Sequence, residues 1–188
     1  ARGARGGEDR PPPRDGGDRP PPPPDEAGAP GGTSGAVPQR KASDFDFRCT
    51  GVLPSGLLDA KYTCDGEGVR PPFEWSGLPA GTRSVAMTMH HLAPGGDEHV
   101  YIVNWNIPAT AKGLDAGKRI GSWGVNTVNR RAEYAPPCSQ GPGVKVYTVT
   151  LYALGSAPKL AEGKATRADL LQAIASSTLG SATIDLKY

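Results

Sequence analysis

The three histidines of this 188-residue chain, His90, His91 and His99, all fall in one stretch, SVAMTMHHLAPGGDEHVYIVNW, running from Ser84 to Trp105. Near neutral pH a histidine can carry a proton, ligate a metal or hold an anion, so the stretch raises all three chemistries. The spacing weighs against a metal. Val85, Met87, Met89 and His91 alternate with Ala86, Thr88 and His90, and a strand with that pattern sends the two adjacent histidines to opposite faces of a sheet. His99 returns across a proline-glycine turn with Asp97 or Glu98 beside it, but two histidines and a carboxylate need a geometry that so short a loop hardly supplies. The plainer alternative leaves His90 and His99 as strand-end or loop residues. Nucleophilic catalysis has weaker signs still. The serines sit in WSGLP and PPCSQG rather than in the GxSxG elbow of a serine hydrolase. Cys138 has no helix start after it to lower its thiol pKa, which favours a structural cysteine. No catalytic residue, metal ligand or cofactor is assigned.

The elements that must position these residues are mostly strands. DFDFRC alternates Phe45, Phe47 and Cys49 with Asp44, Asp46 and Arg48, the period of a half-buried strand. Further strands are expected at residues 60–64, 84–91, 100–106, 145–154 and 182–187, with Pro, Gly and Asn between them. One helix is expected in ATRADLLQAIASS, where Thr166 and Asp169 form a capping box and Leu170, Leu171 and Ile174 form an apolar face. The reading is a mainly β domain over residues 43–188 with a helix packed at the edge of an antiparallel sheet. Residues 1–42 are rich in Pro, Gly and Arg, lack aromatic residues, and read as a disordered tail or linker. The absence of an initiator methionine suggests a processed mature form or a fragment. With 21 Lys and Arg against 19 Asp and Glu, the net charge of +2 points to no nucleic acid partner. No transmembrane segment is expected, because no apolar run approaches the roughly 20 residues a spanning helix needs.

Several linked motifs carry a resemblance. YTCDGEGVRPPFEWSGLPAGTRSVAMTM, then HVYIVNWNIPA, then GVNTVNRRAEYAPPCSQGPGVKVYTVTLYAL resemble the phosphatidylethanolamine-binding protein family, in its bacterial Raf-kinase-inhibitor-like branch. The match runs in one order through nearly all of residues 43–188. It implies a large central antiparallel sheet, a smaller second sheet, a C-terminal helix, and a small anion-binding cavity that accepts phosphate-like headgroups without catalysis. The departures fall in that cavity. Where the family usually has DPDAP this chain has HHLAP, which sets His91 at the first aspartate, with His90 beside it as a further candidate. Tyr101 takes the place of the pocket histidine, and the family's HRY becomes Lys145, Val146 and Tyr147. Pro137 and Cys138 match the proline-cysteine loop beside the cavity.

The implied ligand set is therefore His91, Tyr101, Lys145, Tyr147 and Pro137, with His90 adjoining. Tyr101 and Tyr147 also suit plain strand packing, and Lys145 suits a solvated edge. His91 follows three apolar residues on one strand face and needs a polar partner. The first functional reading is a small-anion or phospholipid-headgroup binding protein. The second is a protein-interaction module, modulating a kinase or protease through the PPCSQGPG loop, its partner unknown. A remote third is a hydrolase using His91. The resemblance also brings Cys64 and Cys138 to one end of the sheet and implies a disulfide between them, with Cys49 unpaired. Such a bond fits a periplasmic or secreted protein better than a cytoplasmic one. Exchange of an aspartate for His91, with Lys145 nearby, implies a preference for simple anions over zwitterionic phosphatidylethanolamine, with binding tightening as pH falls.

Overall fold

The computed structural model describes residues 43–138 and 140–188, so the tail expected at residues 1–42 lies outside the described residues. From Ser43 onward the period-2 segments become strands in two antiparallel sheets. The larger contains β3 (Ser84–Leu92), β4 (Glu98–Pro108), β6 (Ser122–Trp123), β7 (Val146–Leu154) and β8 (Thr178–Lys187), in the order β6-β4-β3-β7-β8. The smaller contains β1 (Asp46–Cys49), β2 (Phe73–Ser76) and β5 (Gly113–Leu114), in the order β1-β2-β5. One helix, α1 (Arg167–Ile174), precedes β8. The mainly β class with a large sheet, a smaller second sheet and one late helix is the architecture the sequence implied.

Alternation decides what each face does. Val85, Met87 and Met89 of β3 join Tyr147, Val149 and Leu151 of β7 in a core that also takes Phe73, Trp75 and Leu114 from the small sheet. Ala86 points the other way, into a second cluster with Val103, Trp105, Leu154, Leu170 and Ile174. Both faces of β3 are covered, which is why its first six residues are all buried. Two bulges interrupt its pairing with β4, between Val85 and Met87 and between Met89 and His90. The second leaves one extra residue on β4, and Tyr101 and Ile102 both enter the core between the sheets.

The structure corrects the sequence reading in four places. Residues 60–64 are not a strand: Ala60–Tyr62 form a 3₁₀ turn, capped by the Asp59 side chain accepting from the Lys61 N–H and closed by Thr63 Oγ1 donating to the Ala60 carbonyl. Asp and Thr offered the backbone local bonds that outcompeted the ladder. The helix lies over a face of the large sheet rather than at its edge, because Leu170 and Ile174 reach Val103 and Trp105. Strand β8 starts at Thr178, four residues before the expected Ala182. Strand β2, preceded by Pro71 and Pro72, and the two-residue β5 and β6 were missed. Their ladders are too short for a periodicity to register.

Candidate functional site

At one end of the large sheet the β3–β7 ladder closes at the pair His90–Thr148. The next residue on β3 continues it with a side chain: His91 Nδ1 lies 2.8 Å from the Val146 carbonyl. A carbonyl only accepts, so Nδ1 carries the hydrogen and Nε2 is the nitrogen left to exchange protons. Period 2 places His91 on the same face as Met89, and Tyr147 on β7 shares that face. Their rings are 5.4 Å apart and tilted by 40°. Tyr101, delivered by the bulge, meets Tyr147 edge-on at 5.2 Å.

Tyr147 is completely buried, and its hydroxyl makes no hydrogen bond to the protein. A buried hydroxyl without a partner costs about 1–3 kcal/mol. Burial, with Tyr101 and Tyr188 nearby, pushes its pKa up to about 12. Burial also raises that of Tyr101. Both phenols therefore remain neutral O–H donors at physiological pH, the form that hydrogen-bonds an anion.

The proline-cysteine loop is pinned beside these rings. Ala135 N–H donates to the Tyr101 carbonyl at 3.0 Å, and Cys64 N–H to the Pro137 carbonyl at 3.0 Å. A disulfide joins Cys64 to Cys138 with Cα atoms 5.4 Å apart. Lys145, half-buried, donates from Nζ to the Gln140 carbonyl at 2.5 Å, so its charge also anchors this loop. Cys49 is free, and burial pushes its thiol up to about 11, which keeps it protonated and unreactive.

The structure thus brings together His91, Tyr101 and Tyr147, with Pro137, Cys138 and Lys145 in the flanking loop. It does not bring His90 with them. His90 shares the opposite face with Thr148, and its pKa is lowered by burial and then by Arg167, while Glu98 and Asp185 pull it back up. The reason is the strand period itself. Among the described residues no group of three or more His, Cys, Asp or Glu is placed to hold a metal.

Two further residues escaped sequence reasoning. Tyr188 pairs its backbone with Lys145 and donates its hydroxyl to Asp65. Its signal was its spacing, two residues after the buried Leu186. Arg70 is 3% exposed, and its guanidinium donates to the carbonyls of Pro71, Asp115 and Lys118 at 2.7, 2.6 and 2.9 Å. Nothing in VRPPFEW announces a buried arginine. A hollow of about 690 Å³ lies elsewhere, along the small sheet. Of the charged residues that line it, Arg48 pairs with Glu74, Asp115 pairs with Lys118, and Asp46 and Lys112 complete the rim.

The family model for phosphatidylethanolamine-binding protein matches residues 48–188. The chain belongs to that family. A UPF0098 protein of Methanothermobacter thermautotrophicus is 33% identical over 136 residues, 69% of this chain and 88% of its own length. The UPF0098 protein YbcL of Escherichia coli is 41% identical over 73 residues, 37% of this chain and 40% of YbcL. Two solved structures share the fold at 22% identity, each covering 78% of this chain and 98% of the other. They are the phosphatidylethanolamine-binding protein homolog CT736 of Chlamydia trachomatis, with a TM-score of 0.70, and YbcL, described as a member of the mammalian family, with a TM-score of 0.69. Membership of the phosphatidylethanolamine-binding protein family supports a binding protein in general. No helix among the described residues is long and apolar enough to cross a membrane.

Proposed function

We propose that this protein binds small phosphate-type anions, free or as a phospholipid headgroup, without catalysing a reaction, in the manner of the Raf-kinase-inhibitor-like branch. The observation that carries this reading is the buried Tyr147 hydroxyl with no protein partner, set against the His91 ring and the edge of Tyr101. A charged acceptor satisfies such a donor at a gain of about 1.5–3 kcal/mol. With an imidazole at the family's aspartate position, the site favours simple anions over zwitterionic phosphatidylethanolamine. Titration calorimetry with inorganic phosphate tests it. Tyr147→Phe should weaken binding roughly tenfold or more while leaving the thermal midpoint near that of the wild type. Absence of phosphate binding in the wild type, or equal affinity in Tyr147→Phe, would remove the reading. A parallel titration with glycerophosphoethanolamine separates a free anion from a zwitterionic headgroup.

The same loop supports a second reading as a protein contact. Val144 is 59% exposed, and Gln140 to Gly143 are exposed beside it, on a loop tied by the disulfide at one end and by Lys145 at the other. Modulation of a kinase or protease through this loop predicts that Val144→Asp abolishes partner binding and leaves phosphate affinity intact. The disulfide supports a periplasmic or secreted location, which fractionation of cells expressing the full-length gene would test.

A further inference from the structure

His91 and His99 stand directly opposite each other in the β3–β4 register, so both side chains leave the same face of the sheet, the face that carries Tyr147. Their rings are 6.4 Å apart between centroids and within 17° of parallel. His99 is exposed and His91 half-buried, which sets the His99 ring on the solvent side of the His91 ring. Only Nε2 of His91 is free to take up a proton, because Nδ1 is committed to Val146.

Apart from Asp97, the charged and titratable groups around the pair are engaged or are hydrogen-bond donors. From β4 comes Tyr101 and from β7 Tyr147, both neutral donors at neutral pH, and Lys145, just before β7, is held by the Gln140 carbonyl. Asp65 accepts from Tyr188. Glu98 is paired with Arg167 at 2.7 Å, and Asp185 accepts from Thr148 at 3.1 Å; both groups act on His90, on the opposite face. Asp97 stands in the exposed turn between the strands. Two near-parallel imidazoles at this distance repel when both are protonated, and a dianion beside them converts that repulsion into attraction.

We propose that His91 and His99 form a two-proton gate on the Tyr147 site, which holds a dianion such as sulfate or a phosphate group when both rings are protonated and releases it as pH rises. This rests on the anion-binding reading above. Linkage gives the sign. Each proton taken up with the anion makes affinity rise about tenfold per pH unit of acidification, so a paired gate approaches a hundredfold where one ring alone gives at most tenfold.

Sulfate is the cleaner probe because it stays a dianion where histidine titrates, between about pH 5 and 8, whereas phosphate titrates there itself. Calorimetry of the full chain with sulfate across this range should show a wild-type slope steeper than one proton. In His99→Gln the slope should drop to one proton or less with binding retained at low pH. The imidazole resonances of His91 and His99 should both shift their titration to higher pH when sulfate is added. An unchanged slope in His99→Gln would overturn the gate and leave the anion site standing. Affinity for Zn²⁺ that tightens with rising pH and disappears in His99→Gln, with sulfate binding flat, would make the pair a metal site instead. Failure of sulfate and phosphate to bind at any pH, or binding indifferent to Tyr147→Phe, removes the anion site and the gate together.

Discussion

Two neighbouring histidines on β3 have opposite surroundings. His91 faces rings and a carbonyl. His90 faces the helix side, and its Nδ1 is buried without a partner. Because burial and Arg167 lower the pKa of His90, the unfolded chain takes up this proton before the folded one does. Its contribution to stability is therefore complete above the unfolded value near 6.5 and is lost as pH falls from there through the lower folded value. Thermal melts between about pH 7 and 5 should show a shallower acid decline in His90→Gln than in the wild type. Equal slopes would assign the decline to groups other than His90.

Among the elements, α1 depends most on a few residues. With eight residues it is shorter than helices that hold in isolation, so its cap and its buried face must carry it. Thr166 and Asp169 complete a capping box, and Leu170 and Ile174 fill the cluster around Trp105. Thr166→Ala should cost about 1 kcal/mol and Leu170→Ala about 2–5 kcal/mol, read from chemical denaturation. Neither should alter phosphate affinity, since the helix covers the face of the sheet opposite His91. A change in affinity with Leu170→Ala would mean that the two faces of the sheet are coupled.

For the whole molecule, the outer edge of β8 takes up the first described residues of the chain. Asp44 N–H donates to the Ser181 carbonyl at 2.9 Å and Asp44 Oδ2 accepts from Ser181 N–H at 2.8 Å, while Leu58 N–H donates to the Lys187 carbonyl at 2.8 Å at the far end. A chain starting at Ser43 keeps these edge bonds, and its thermal midpoint should match that of the full chain. A fall of more than a few degrees would show that residues 1–42 contribute to the fold. The disulfide spans a sequence separation of 74, and a loop of that length is worth about 4 kcal/mol on the chain-entropy account. Replacing Cys64 and Cys138 together by serine should lower stability by an amount of that order and loosen the loop that carries Pro137, weakening phosphate binding as well.

Strand alternation alone set the class of this protein. It placed His91 with Met89 and sent His90 away, because a side-chain period of two holds within one strand whatever it packs against. The capping box of α1 was equally local, written in Thr166 and Asp169. Two matters needed distant parts of the chain. The helix was sited over a face of the sheet because Leu170 and Ile174 found Trp105, a residue more than sixty positions away. The cluster of His91, Tyr101 and Tyr147 was assembled by a bulge that turned Tyr101 inward and by a side-chain bond that closed the ladder at His91, and the register opposed His91 to His99. No periodicity in the sequence encodes register or bulges, since both are settled by which strands pair and how their cores fill.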